Sequence, residues 1–477
     1  MIEKNSHSQE SITLAGQEIL LLGGGVTGRA LANFLKKHQI NFLIFNEKSD
    51  QSFEEIINER GRAFNLAVVS PGWRKDHFII ERLRDLKIEI ISEIDFAWRM
   101  KCILAPDQQW IAVTGTNGKT TTVQMIESIF RASGTNAIAS GNVGRTVIES
   151  IEGGYKFLAV EISSFQIDWS DEAQFLASAI LNIAEDHIDW HGSFESYRDA
   201  KLKLGSLSKI TLFNEGDSTM KDYFSQIFSK GNKASTVEIS RFVPFHLKAP
   251  GAGEIGIVEN LIVDRAFVED SSSAQVLAEL NDLSQAAPHN FLNATAAAAL
   301  CKYIGISSDW IRQGLQNFRI DHHRLELIAE CNGVSWINDS KATNPHAALA
   351  AITSYQEVIW IAGGLAKGAS MDHLVDAAHH RIKAAILIGR DAPLIKSALL
   401  RKNSNLKIIE CSTALKGAEL MDQVVHYASA LASKGQVVLL APACASMDQF
   451  TSYSERGELF AQSVRNSLSE NFSAEER

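Results

Sequence analysis

Apolar positions along the chain cluster into short runs of strand length, separated by stretches long enough for a helix. The first run, Glu18 to Leu22, leads into Gly23-Gly24-Gly25-Val26-Thr27-Gly28 and then into ALANFLKKH, whose spacing predicts an amphipathic helix. A strand, a glycine turn and a helix in that order open a parallel α/β unit. Strand-like runs at NFLIF (Asn41 to Phe45) and AVVSPG (Ala67 to Gly72) continue it, and Lys101 to Gln109 reads as a linker. A second series starts at Trp110 to Thr114, passes through GTNGKTT (Gly115 to Thr121) into a helix over Thr122 to Ser133, and adds strands at FLAVEIS (Phe157 to Ser163) and SAILNI (Ser178 to Ile183). Residues 213 to 285 lose this periodicity, and the pattern assigns no elements there. After a polar stretch at Phe318 to Arg324, a third series follows: VSWIN (Val334 to Asn338), VIWIAGG (Val358 to Gly364), AAILIGR (Ala384 to Arg390) and QVVLLAPA (Gln436 to Ala443). The expected architecture is α/β with three domains, at 1–105, 106–320 and 321–477.

Composition agrees with this division. The chain has 477 residues, and roughly 150 per domain is the usual size. Hydrophobic residues at 45% and charged residues at 21% fit globular domains rather than disordered or fibrous ones. A formal net charge of −10 argues against a nucleic-acid partner or an anionic membrane surface, both of which need a basic footprint. Five cysteines without a CxxC pair suggest neither a disulfide framework nor a zinc site. The N-terminal MIEKNSHSQE has no apolar core of the kind a signal peptide needs, and no apolar run nears the roughly 18 residues that cross a bilayer. The expectation is a cytoplasmic protein without membrane insertion.

The strongest chemical signal is IAVTGTNGKTT. A glycine-rich turn between a strand and a helix aims backbone N–H groups at a polyphosphate, Lys119 adds positive charge, and Thr120 offers a hydroxyl to Mg²⁺. The loop departs from Walker A spacing, because Val113 stands where that pattern has its first glycine. Glu161 closes an apolar strand, where a carboxylate can hold Mg²⁺ or serve as a structural acid. Glu185, Asp186, His187, Asp189 and Lys201 crowd one segment, and spacing alone does not separate a metal site from a solvated charged face. INDSKATNP and GGLAKG place Asp339, Lys341, Thr343 and Lys367 after strands, at anion-binding positions or in ordinary solvated loops. In the first domain, Gly23, Gly25 and Gly28 with Glu47 match a dinucleotide fingerprint, which predicts NAD binding; a second phosphate loop at 115–120 is more than a simple dehydrogenase needs.

In one order along the chain stand TGTNGKTT, GNVG, EISSFQ, EDHID, YRDAK, HN with a second Asn three residues on, HHRLE, WINDSKATN, GGxxKG and APACASMDQF. Together they resemble the Mur ligases over nearly the whole chain. The resemblance implies a Rossmann-like N-terminal domain for a UDP moiety, a central P-loop ATPase-like domain, and a Rossmann-like C-terminal domain for an incoming amino acid. It implies ATP-dependent joining of D-glutamate to UDP-N-acetylmuramoyl-L-alanine through an acyl phosphate, by a cytoplasmic monomer using ATP and two Mg²⁺ ions. By the same resemblance, Gly115, Thr116, Asn117, Gly118, Lys119, Thr120 and Thr121 form the phosphate loop, with Asn293, Arg324 and Asp339 around the base and ribose. Thr120, Glu161, His187 and a carbamylated Lys201 would hold metal, and Asn142 would lie near the reacting carboxylate. Lys341, Thr343, Lys367, Ser446 and Tyr453 would surround D-glutamate, with Lys341 also catalytic. Val26, Thr27, Asn46, Glu47, Lys48 and Gly72 would take the UDP-sugar, which makes NAD the weaker reading of the first glycine loop. A sister ligase using another amino acid and a nucleotide-controlled switch remain the alternatives.

Overall fold

The computed structural model describes residues 3–4, 12–13, 18–46, 52–60, 63–142, 144–229, 241–270, 272–283, 288–319 and 322–475. Glu47 and Lys48, both expected in the UDP pocket, lie outside the described residues.

The first sheet contains β1 (Glu18–Leu22), β2 (Phe42–Phe45), β3 (Phe64–Val69) and β4 (Glu89–Ser92), in the order β2-β1-β3-β4. All three pairings are parallel. Ile19 to Leu22 are buried in succession, as expected of a strand covered on both faces. Helix α1 (Val26–Lys37) turns Ala30, Leu31, Phe34 and Leu35 inward. The strand order reverses at β1, so the glycine loop after β1 opens at a topological switch point.

The second sheet has nine strands: β5 (Gln109–Thr114), β6 (Ala137–Gly141), β7 (Phe157–Glu161), β8 (Ala177–Ile180), β9 (Thr211–Asn214), β10 (Phe242–Phe245), β11 (Ile255–Val258), β12 (Leu261–Asp264) and β13 (Gln275–Glu279). Their order is β13-β12-β11-β10-β9-β8-β5-β7-β6, with antiparallel pairing only at β11-β12 and β12-β13. The unassigned region 213–285 thus supplies the end of β9 and four further strands. Each is only four or five residues long, too short for a period to declare itself.

Lys101 to Gln109 is not the linker its polarity suggested. Residues through Leu104 belong to helix α2 (Glu93–Leu104), which buries Phe96, Ala97 and Met100. Lys101 is buried and donates to the Pro106 carbonyl at 2.7 Å, while buried Gln108 accepts from Trp110 Nε1 at 2.9 Å and donates to the Tyr155 carbonyl at 3.2 Å. The polar groups of Lys101 and Gln108 find partners internally, and composition cannot distinguish that from solvation. One apolar cluster runs from Ile19 and Val68 of the first sheet and Leu31 of α1, through Ile94 and Met100 of α2, to Trp110 and Val160 of the second sheet and Phe175 just before β8.

Glu93 sits inside this packing. Its Oε1 accepts from Gln166 Nε2 at 2.9 Å, its Oε2 is buried without a hydrogen-bond partner, and burial pushes its carboxyl up to about 7 against the lowering effect of Gln166. Between its ordinary value of 4.5 and about 7 the folded chain keeps a proton that the unfolded chain has released, so this contribution to stability is lost as pH rises through that window. Glu93→Gln keeps the Oε1 acceptor and removes the ionisation. At pH 8 it is expected to exceed the native protein in stability by up to about 3 kcal/mol, with little difference at pH 4. Urea midpoints for both proteins at the two pH values measure this, and an equal difference at both would refute it.

The third sheet contains β14 (Glu326–Cys331), β15 (Val334–Asn338), β16 (Val358–Gly363), β17 (Ile382–Ile388), β18 (Lys407–Glu410) and β19 (Val437–Leu440). Its order is β14-β15-β19-β16-β17-β18, parallel except for the β14-β15 hairpin. Apolar clusters cover both faces.

Contacts gather the chain into two compact units, residues 1–183 with 198–318, and residues 184–197 with 319–477. The first contains both of the first two sheets, and the second draws the EDHID segment to the C-terminal sheet. No helix among the described residues is long and apolar enough to cross a membrane.

Candidate active site

In the first unit, β5 lies between β7 and β8, so the loop after it emerges where the strand order turns. Gly118 starts helix α3 (Lys119–Ala132) with φ +85, and a Cβ there would lie 2.4 Å from Asn293 Oδ1. The backbone angle favours glycine, and a side chain there would displace the Asn293 amide. Helix α4 (Pro288–Tyr303) thereby places buried Asn293 against the loop. Asn182, just after β8, braces the other side: its carbonyl accepts from Thr116 N at 2.9 Å, its Oδ1 from Asn117 N at 2.8 Å, and its Nδ2 donates to the Asn117 carbonyl at 3.1 Å. The sequence reading missed Asn182; its only signal is a polar residue ending an apolar strand.

Lys119 folds over this loop, donating to the carbonyls of Gly115 at 2.8 Å and Thr116 at 3.1 Å. The buried Thr120 hydroxyl donates to Glu161 Oε2 at 2.8 Å, and Thr121 is buried in the same first turn. A hydroxyl and a carboxylate side by side at a phosphate loop are hard oxygen donors suited to Mg²⁺. Lys201, near the end of helix α5 (Phe194–Leu202), is 2% exposed, and its Nζ lies 2.9 Å from the Gly115 carbonyl. Asn142 follows β6, its N–H 3.3 Å from the Glu161 carbonyl. The structure therefore gathers Gly115 to Thr121, Glu161, Asn293, Lys201 and the Asn142 backbone around one loop.

The glycine loop of the first sheet is closely made as well. A Cβ at Gly28 would lie 1.9 Å from the Gly23 carbonyl, which is why α1 can start so near β1. Gly24 N–H donates to Asn46 Oδ1, so Asn46 ties the end of β2 to this loop. Val26 and Gly72 are exposed and Thr27 is half-buried at the same edge.

In the second unit, Asp186 is buried, with Lys367 Nζ at 3.5 Å, His187 Nε2 at 3.7 Å and Asn344 Nδ2 at 3.4 Å. His187 and Lys367 both hold positive φ, 55° and 52°, which non-glycine residues seldom adopt. Among the described residues, no three His, Cys, Asp or Glu side chains group closely enough to hold a metal by themselves. The acidic segment is therefore not a self-contained metal site.

Asp339 follows β15 and accepts from Leu325 N at 3.3 Å. Part of the residue still reaches solvent, but its carboxyl is enclosed, and desolvation pushes it up to about 7 against the Arg324 charge and the Leu325 N–H. Lys341 Nζ donates to the Tyr453 hydroxyl at 2.6 Å. Behind them Arg456 is fully buried, reaching the Ser340 hydroxyl at 3.0 Å and the carbonyls of Ser340 at 2.8 Å and Cys444 at 3.1 Å. The half-buried Thr343 and the buried Ser446 lie in the loops after β15 and β19. Cys444 is fully buried, and burial pushes its thiol up to about 12, so it packs rather than attacks. Arg456 carried no sequence signal as a brace, because an arginine in a helix is usually solvated.

Residues 113–301 match the Mur ligase middle domain, and residues 323–444 match the Mur ligase glutamate ligase domain. The UDP-N-acetylmuramoylalanine–D-glutamate ligase of Thermobifida fusca (strain YX) is 41% identical to the chain, covering 95% of it and 99% of the relative. The chain belongs to the Mur ligase family. Its relative of the same name in Streptomyces coelicolor is 42% identical, with 84% of each chain covered. The pseudomurein peptide ligase type C of Methanothermus fervidus shares the family's fold at 18% identity and a TM-score of 0.57, covering 94% of this chain and 99% of that one. The matched middle domain begins at Val113 and so contains the second glycine loop and not the first.

Proposed function

We propose that this Mur ligase joins D-glutamate to UDP-N-acetylmuramoyl-L-alanine, consuming ATP and releasing ADP and phosphate in peptidoglycan precursor synthesis. The observation that carries the reading is 41% identity over 95% of the chain to a ligase named for that reaction. The functional division is assigned to residues 1–105 for the UDP-sugar, 106–320 for ATP and 321–477 for the amino acid. NAD binding and a nucleotide switch without ligation account for neither the glutamate ligase domain nor the groups after β15.

A carboxylate is a poor electrophile, so amide formation requires one oxygen to become a leaving group. The L-alanyl carboxylate attacks the γ-phosphate in line, with Lys119 and the 115–118 backbone offsetting charge on the transferring group. ADP leaves, and an acyl phosphate remains. The amine of D-glutamate then adds to the acyl carbon, and the tetrahedral intermediate expels phosphate. Mg²⁺, which supplies charge neutralisation on phosphate oxygens, would be held by Thr120 and Glu161; His187 and a carbamylated Lys201 are assigned to a second ion. Arg324, Asp339 and Asn293 are assigned to the base and ribose, Asn142 to the acceptor carboxylate, and Lys341, Thr343, Lys367, Ser446 and Tyr453 to D-glutamate.

Phosphate release with ATP, Mg²⁺ and UDP-N-acetylmuramoyl-L-alanine tests this, with D-glutamate, L-glutamate, L-alanine or meso-diaminopimelate added separately. Release dependent on D-glutamate alone, with a product heavier by one glutamyl residue, is expected. Release with a different amino acid would move the chain to a sister activity.

A further inference from the structure

The segment that carries Asn182, the brace of the phosphate loop, is itself held from the neighbouring strand. Strands β8 and β9 pair in parallel as far as Ile180 with Phe213. Beyond that register Leu181 and Ile183 stay buried, so their backbone groups still need partners. Two side chains at the end of β9 and in the turn after it supply them. Asn214 Nδ2 donates to the Leu181 carbonyl at 3.0 Å, and Asp217 Oδ2 accepts from Ile183 N at 3.0 Å. The pair grips the backbone on each side of Asn182.

Each gripping side chain is fixed by a second bond. Asn214 is buried, and its Oδ1 accepts from Gly216 N at 2.9 Å, which leaves its amide one orientation. Asp217 Oδ1 accepts from Met220 N at 3.0 Å, in the first turn of helix α6 (Ser218–Ser229). The clamp is thus anchored to a strand end and a helix start. What it holds lies directly against the phosphate loop. A Cβ at Gly115 would lie 3.1 Å from Leu181 Cβ and 3.3 Å from Asn182 N, and one at Gly118 would lie 3.2 Å from Leu181 Cδ1. Asn182 passes its position on to Thr116 and Asn117 through three hydrogen bonds, so a shift of this backbone moves the loop with it.

We propose that Asn214 and Asp217 are positioning residues for phosphoryl transfer, acting through Asn182 to hold the 115–118 backbone in the shape that receives the nucleotide phosphates. This rests on the assignment of that loop to ATP in the ligase reading above, and adds to it two groups about a hundred positions further along the chain. Phosphoryl transfer depends on placement and charge more than on covalent help from the protein, so a small displacement of the loop carries a large effect.

Serine at either position separates the clamp from its local duties. A hydroxyl at 214 still accepts from Gly216 N, and one at 217 still caps α6, but neither reaches across to β8. The test is calorimetric binding of ADP with Mg²⁺ to the full chain, beside steady-state phosphate release and the melting temperature. Asn214→Ser is expected to weaken ADP about fivefold and Asp217→Ser about tenfold, the usual values of a neutral and a charged hydrogen bond. KM for ATP should rise in step, with KM for UDP-N-acetylmuramoyl-L-alanine and for D-glutamate unchanged. Combined with Asn182→Ala, each effect should fall short of the product of the single effects by at least about threefold, because the residues act through one another. A lowered melting temperature with native ADP affinity would overturn the inference and leave the ligase reading in place, and so would effects that multiply in full. Weakened ADP binding in the variants of a protein without D-glutamate-dependent release would keep the clamp and remove the ligase reading. A native protein that binds no nucleotide would remove both.

Discussion

Lys201→Ala is expected to lose at least about a hundredfold in kcat, on the scale of removing one preorganised electrostatic group, and to regain part of it when acetate or another short carboxylic acid is added. Lys201 is 2% exposed, with its Nζ 2.9 Å from the Gly115 carbonyl of the phosphate loop. An ammonium buried there is costly, and on the proposed reading it would repel a Mg²⁺ ion that Thr120 and Glu161 would hold. Addition of CO₂ to the neutral amine forms an N–C bond and releases a proton, turning a cation into an anion, a change of two charge units. The carbamate keeps an N–H that can still donate to the Gly115 carbonyl. Alanine leaves space for a small acid to restore the negative group without the tether. Phosphate release titrated with acetate measures this. Full activity in the variant removes any role for Lys201, and a loss that no acid repairs removes the carbamate while leaving an ammonium that positions the loop.

Lys119→Ala is expected to lower kcat by about a thousandfold and leave binding of UDP-N-acetylmuramoyl-L-alanine intact. The loop itself is braced without Lys119, by Asn182 on one side and Gly118 against Asn293 on the other, so the variant should keep its fold. What it loses is the positive charge held over the carbonyls of Gly115 and Thr116, which on the proposed reading would compensate a γ-phosphate as charge spreads in the transition state. Rapid-mix measurement of the first phosphate transfer, beside equilibrium binding of the UDP substrate, separates the two quantities. A variant impaired equally in both would show that Lys119 supports structure rather than charge transfer.

Much of the chemistry was legible because it depends on local order. A strand, a glycine turn and a helix must follow one another to build a phosphate loop, and Gly115 to Thr121 satisfy that within a dozen residues. Glu161 could be flagged as a strand-ending acid, but only the parallel pairing of β5 with β7 brings it to 2.8 Å from Thr120. Residues whose role is to brace others gave no such signal. Asn182 and Arg456 act through partners 65 and 116 positions away, and nothing in their own neighbourhood marks them.

The sequence by itself determined the α/β class, the strands that form continuous apolar runs and the strand, glycine turn and helix around Gly115 to Thr121, because hydrophobic period and turn chemistry act over a few residues. The strands at 89–92, 137–141, 326–331 and 407–410 and those from 242 to 279 escaped it. Only the tertiary structure decided that Lys101 to Gln109 is packed rather than a linker, that Asp186 belongs with Lys367 and Asn344, and that Lys341 rests on Tyr453. Those outcomes turn on burial and on pairings between distant positions, and desolvation of a polar group is a property of everything folded around it, which no local pattern contains.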